Sequence, residues 1–408
     1  MRHIIVHIVL LLIMGSRSLA QPGYEILQDV KKIDIPFEYE NNLIIVKVMF
    51  NRIFPLRFIF DTGAEHTILS KRQYADWMGI PYEREFKLLG SDLSVDLKAY
   101  LIRGIHLKVE NMIVPNHSLL VLGDDYFKFD EMTGVDVDGI LGADIFRGLS
   151  VKINYEKKVI TLVKYRHFTP PGGKYIGIPI DIKKNKPYLE TRIQIQPDSV
   201  IDVRLLLDTG AMLSLLLNTD SDPRLRPPPN YIKGNVGAGL GGFIEGYIGR
   251  VASLHLGDLQ CNGVITNFQE LVEGADPAIL LSRHGVIGNE ILSRFHVVID
   301  YQGQMLYLQP NRRFRESFDF DKSGLIVIAS GTNLNRFIVH TVLPNTPAYE
   351  AGLLPGDEIR NLNFTPPGFL TLRSINATLR AREGKKITIK VRRGDEDVKV
   401  RFRLRKLI

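Results

Sequence analysis

The sequence predicts a mostly β protein made of two duplicated lobes followed by a smaller third domain. Three observations carry this. A set of segments occurs twice at a spacing of about 145 residues, strand-like alternation runs through both copies, and pattern and charge change from about Asn311. The period is too long for a solenoid repeat, so it reads as a duplicated lobe. The length of 408 residues suits two to three domains.

The two copies agree element by element. Ile35-Pro36-Phe37 answers Ile178-Pro179-Ile180. Leu43 to Val48 and Leu189 to Ile195 read as strands, and helical periodicity is scarce. Two apolar runs, Leu56-Arg57-Phe58-Ile59-Phe60 and Val203-Arg204-Leu205-Leu206-Leu207, each end on Asp-Thr-Gly-Ala, at Asp61-Thr62-Gly63-Ala64 and Asp208-Thr209-Gly210-Ala211. Further on, Gly139 to Phe146 answers Gly285 to Leu292, with Gly142 at 81 residues from Asp61 and Gly288 at 80 from Asp208. Val151 to Tyr155 then answers Val297 to Tyr301. Thr169-Pro170-Pro171-Gly172-Gly173 reads as the linker.

One Asp-Thr-Gly is ordinarily a turn, with Asp bonding its own backbone and Gly supplying an unusual conformation. Two in register suggest paired carboxylates. Facing each other and sharing one proton, they let one act as base toward water and the other as acid toward a carbonyl oxygen, with no cofactor or metal. Like charges so close do not both ionise, so the pair titrates in two separated steps.

Each half resembles a retropepsin-type (retroviral-type) aspartic protease lobe, on Asp-Thr-Gly-Ala and the downstream apolar-apolar-Gly segments Ile140-Leu141-Gly142 and Val286-Ile287-Gly288. The resemblance covers roughly Ile33 to Gln309 and implies a peptidase with Asp61 and Asp208 as its catalytic pair. It implies that Thr62 and Thr209 cross-link the two loops, and that Gly63 and Gly210 leave backbone N–H groups free to approach the carboxylates. It implies a hairpin flap per lobe. Gly237 to Phe243 supplies the second, with Gly239, Gly241 and Gly242 at its tip, and Leu88-Leu89-Gly90-Ser91-Asp92 is a poorly marked first. Ala64 and Ala211 stand where pepsin-like enzymes place Ser or Thr, which predicts activity at weakly acidic to near-neutral pH. Two complete lobes in one chain predict a monomer with an intramolecular pair acting on protein or peptide substrates. A catalytically inactive peptide-binding protein of the same fold, and a pair formed between two chains, stay open at this level.

From Asn311 the chain resembles a PDZ domain of the kind appended to bacterial envelope proteases. The matching residues are Ser323-Gly324-Leu325-Ile326, Val342 to Leu353 and Pro355-Gly356-Asp357-Glu358-Ile359. The resemblance implies a small β-barrel with short helices. In it Ser323, Gly324, Leu325 and Ile326 form a loop that offers N–H groups to a peptide C-terminus, and the next strand pairs with that peptide. Residues 311–408 hold 19 Lys and Arg against 10 Asp and Glu, which accounts for the whole chain's formal charge of +7. An exported protein without a recognition motif is not expected to bind nucleic acid.

The start of the chain, basic at Arg2 and His3, apolar from Ile4 to Met14 and ending in a small-x-Ala site at Ala20, reads as an export signal over residues 1–20. The apolar stretch is too short to span a bilayer. A single cysteine, Cys261, allows no intramolecular disulfide, and with the signal it points to a bacterial periplasm or envelope. The expected domains are 24–165, 174–310 and 311–408.

Overall fold

The computed structural model describes residues 25–26, 30–89, 96–124, 129–239, 242–270 and 283–408. The expected export signal lies outside these residues, as do Gly90, Ser91 and Asp92 of the first flap candidate and Gly241 of the second. Strands dominate, as the alternation predicts, and the longest described helix is Leu372–Leu379.

The repeat becomes symmetry in a six-stranded sheet shared by both lobes. Its two central strands, Leu149–Asn154 and Phe295–Asp300, are the repeated segments themselves, paired antiparallel with Val151 opposite Ile299 and Ile153 opposite Val297. Outward on each side come Val159–Lys164 and Met305–Pro310, then Lys32–Pro36 and Ile176–Pro179. The outer strand Lys32–Pro36 alternates buried and open residues because only one of its faces meets the core.

Each lobe adds a larger sheet with matching order. In the first, Phe54–Phe60 lies between Leu43–Phe50 and the parallel strand Gly139–Leu141. In the second, Val200–Leu207 lies between Lys186–Gln194 and the parallel strand Gly285–Ile287. Buried on both faces, Phe58, Ile59 and Phe60 and their counterparts Leu205, Leu206 and Leu207 are continuously apolar.

Both lobes also carry a long hairpin. Arg84–Leu89 pairs with Asp96–Val109, and Tyr231–Gly239 pairs with Gly242–Leu256 as far as Gly239 opposite Gly242. Leu88 and Leu89, the described residues of the first flap candidate, therefore also lie at the end of a strand pairing.

The C-terminal sheet has five strands in chain order from Leu325–Ser330 to Glu396–Arg403, and Leu372–Leu379 packs beside the first. A capping box at Thr371 and Ser374 starts this helix, and Leu372, Ile375 and Leu379 bury its inner face. The packing of the second lobe continues past residue 310, where the third domain was expected to begin. The fully buried Arg294 donates to the carbonyls of Arg313, Glu316 and Ser317 and stacks over the Phe318 ring at 3.7 Å.

Candidate active site

Two parallel strand pairs deliver the two loops. The Asp61 N–H donates to the Leu141 carbonyl (3.1 Å), and the Asp208 N–H to that of Ile287 (3.0 Å). The strands Gly139–Leu141 and Gly285–Ile287 thus run beside the loops and hold their first residues. A Cβ on Gly142 would fall 2.5 Å from the His66 carbonyl oxygen, and one on Gly288 would fall 2.8 Å from that of Ala211. Only glycine lets these backbones approach.

The loops are locked to each other by four reciprocal hydrogen bonds. Thr62 Oγ1 donates to the Leu207 carbonyl and Thr209 Oγ1 to that of Phe60, both at 2.7 Å. Each hydroxyl also accepts the other threonine's N–H, at 3.0 and 3.1 Å. Both threonines are fully buried, so each bond is made where water does not compete.

The carboxylates are held from their own loops. Asp61 Oδ1 accepts from the Gly63 N–H (2.6 Å) and the Ala64 N–H (3.1 Å), and Asp208 Oδ1 from the Gly210 N–H (2.7 Å). A Cβ on Gly63 would lie 2.5 Å from Cγ of Asp208, and one on Gly210 would overlap the Asp61 carboxyl. Each glycine therefore bonds its own aspartate and leaves room for the opposite one.

Burial holds the Asp61 carboxyl well above the ordinary carboxylate range, and the charge and hydrogen bond of Asp208 add to this. Burial raises Asp208 as well, while hydrogen bonds from Asp61 and the Gly210 N–H and the positive charges of Arg283 and Lys186 pull it back. Both carboxyls are thus raised, and the pair holds one proton between them rather than ionising twice.

Beneath the second loop lies a support that residue patterns did not single out. Asn289 donates to the Thr209 carbonyl and accepts from the Tyr155 hydroxyl at 2.6 Å. In the first lobe Ala143 stands in place of Asn289, and the buried hydroxyl of Tyr301, the counterpart of Tyr155, has no partner among the described residues. The readable signal was Asn289 answering Ala143, the one exchange of apolar for polar between Gly139 to Phe146 and Gly285 to Leu292.

Asp61 and Asp208 open on a cavity of about 830 Å³. Gly239 and Gly242 lie in the second hairpin. Leu325 and Ile326 line the same cavity, so it touches the C-terminal domain as well as the carboxylate pair.

The loop of that domain differs from expectation. The N–H groups of Ser323 and Gly324 do not face outward: both donate to Oδ1 of Asp321, at 2.8 and 2.6 Å, and the Leu325 N–H donates to Ser323 Oγ at 3.1 Å. An aspartate two residues before the serine bonds back to the chain in a local turn, which takes up the donors.

Comparison with known proteins finds residues 46–145 matching a family described as aspartyl protease, and residues 316–404 matching the PDZ domain. A solved structure, the aspartic proteinase from Irpex lacteus, is 14% identical, covering 70% of this chain and 99% of its own, with a TM-score of 0.43. No curated protein matches.

Proposed function

We propose that this chain, with its aspartyl-protease and PDZ domains, is an aspartic endopeptidase that cleaves extended polypeptides at the Asp61–Asp208 pair. The observation that carries the reading is the pair itself: two carboxyls from duplicated loops, both raised by burial, lining one cavity. The ionised carboxyl of the pair takes a proton from a water while that water attacks the peptide carbonyl carbon. The protonated carboxyl gives its proton to the carbonyl oxygen, forming a tetrahedral diol. As the diol collapses, the carbonyl re-forms, the C–N bond breaks and the leaving nitrogen takes up a proton at the pair. The loops move little, because the Thr62–Thr209 lock fixes them before substrate arrives. The hairpins Arg84–Leu89/Asp96–Val109 and Tyr231–Gly239/Gly242–Leu256 would close over the bound chain. The signal-like start of the sequence supports action outside the cytoplasm, in a bacterial envelope.

The test is cleavage of an unfolded protein such as β-casein in water enriched in ¹⁸O. Direct attack by water predicts new C-termini carrying the label, and Asp61→Asn or Asp208→Asn abolishing their formation. New termini that survive either substitution would contradict the reading, and so would the absence of new termini across the weakly acidic to neutral range.

A further inference from the structure

The C-terminal sheet turns one face away from its own core. In the strands Lys386–Arg393 and Glu396–Arg403, Ile387, Ile389, Val391 and Val400 are buried, so the residues between them stand on the opposite face. There the register sets Lys386 opposite Arg403 and Lys390 opposite Lys399. Like charges directly opposite each other destabilise a sheet. Asp397 is shared by Lys390 (2.8 Å) and Arg392 (3.1 Å), and Glu358 by Arg336 and Arg360. Lys386, Lys399 and Arg401 form no ion pair among the described residues. The face therefore carries a positive surplus that the packing of this chain does not use.

An apolar tip is fixed beside that face. The Leu362 N–H donates to the Thr365 carbonyl at 3.0 Å and the Thr365 N–H donates back at 2.9 Å, so Asn363-Phe364 is a two-residue turn, with φ of 48° and 70°. Such a turn favours Asn then Gly, because both positions take positive φ. Asn363 fits. Phe364 is a bulky residue in a conformation that such side chains rarely adopt, and its ring gains no packing in return, being 80% exposed. The turn is pinned to the basic strand: the Asn363 N–H donates to the Thr388 carbonyl and Asn363 Oδ1 accepts the Thr388 N–H, both at 2.9 Å. Phe364, Arg360, Lys390 and Lys399 line one hollow of about 490 Å³. Phe369, five residues further on, is 82% exposed.

Cations and an exposed ring in one place select the partner. An acidic polypeptide would satisfy the cations and leave the ring in water. A bilayer with anionic headgroups meets both, since its phosphates lie level with Arg360, Lys390 and Lys399 while the Phe364 ring enters the apolar layer below them. The disfavoured backbone of Phe364 then has a physical reason. Turn chemistry alone would place Gly there, and only a side chain used outside the fold offsets the cost.

We propose that the basic face of the strands Glu358–Leu362, Lys386–Arg393 and Glu396–Arg403, with Phe364 as its anchor, docks this protein on an anionic phospholipid bilayer. The surface uses no residue of the carboxylate pair or its loops, so the proposal is independent of the peptidase reading above.

The experiment is cosedimentation of residues 21–408 with vesicles of phosphatidylcholine alone and of phosphatidylcholine mixed with phosphatidylglycerol. Starting at Gln21 leaves out the apolar segment Ile4 to Met14, which would bind lipid by itself. The expected result is binding to the mixed vesicles only, weakening as salt is added. Phe364→Gly should weaken it at least about tenfold while melting no lower, because Gly suits the positive φ. Lys399→Glu together with Arg401→Glu, which break no ion pair within the chain, should also weaken it at least about tenfold. No binding, equal binding to both vesicle types, or binding to the mixed vesicles that neither substitution changes would overturn the proposal. A Phe364→Gly protein that melts well below the unsubstituted one would show that the ring serves the fold, and would overturn its role as anchor. Tighter binding to polyglutamate than to the mixed vesicles, unchanged by Phe364→Gly, would make an acidic polypeptide the partner and overturn the bilayer.

Discussion

Gly63 and Gly210 each face the other loop's aspartate, so a single methyl group tests the geometry of the pair. Gly63→Ala or Gly210→Ala must push a buried carboxyl aside, and overpacking of this kind costs about 1–3 kcal/mol. Either variant should melt lower and lose most cleavage, whereas wild-type melting and activity in both would show that the loops stand further apart. Thr62→Val keeps the shape and removes both hydroxyl bonds, leaving the Leu207 carbonyl and the Thr209 N–H unpaired at about 1–3 kcal/mol each. The titration of Asp61 gives a signed prediction. Its raised carboxyl keeps a proton in the folded state that the unfolded chain releases above about pH 4. Folding stability is therefore lost as pH rises from that value toward the raised one. Asp61→Asn removes this penalty, so its gain in Tm over the unsubstituted protein should be larger near pH 7 than near pH 4. An equal or smaller gain near pH 7 would show that the carboxyl is not held protonated. Substituting Ala64→Ser and Ala211→Ser together should move the kcat/KM profile toward acid, since a hydroxyl can donate to the ionised carboxylate. Coinciding profiles would leave burial as the cause that sets the titration.

Elements show why the repeat was readable and its support was not. Loop and strand recur in the sequence because each lobe needs an apolar delivery strand, a close-approach glycine and a second strand beneath, and each need restricts residue type. Asn289 breaks the repeat, and its partner Tyr155 lies 134 residues away in the other lobe, a pairing that no spacing rule anticipates. Asn289→Ala should destabilise the protein by about 1–3 kcal/mol through the stranded Thr209 carbonyl and Tyr155 hydroxyl. The matching change in the first lobe does not exist, because Ala143 is already there. Arg294 was equally silent in the sequence, a lone cation in an apolar stretch. Its three backbone acceptors beyond Gln309 predict that a chain ending there melts well below one ending at Asp319, since hydrogen bonds to a charged group contribute about 1.5–3 kcal/mol each. Equal melting of the two would place the end of the lobe at residue 310.

The arrangement of the whole molecule was the least legible level. Composition, repeat and the two resemblances indicated what each part is like, but the contacts that set the C-terminal domain over the cleft join residues far apart in the sequence. Asn41 and Asn376 are separated by 335 residues, and nothing in either's neighbourhood marks it as an interface. Asp321 had a local signal, its place just before Ser323-Gly324, and that signal predicts the filled donors better than the resemblance did. Cleavage by this chain requires that two loops of one molecule meet. Mixing Asp61→Asn with Asp208→Asn protein, each inactive alone, tests this directly. A pair formed within one molecule predicts no cleavage at any mixing ratio or concentration, while activity that appears on mixing and grows with concentration would mean that the carboxylates meet between chains.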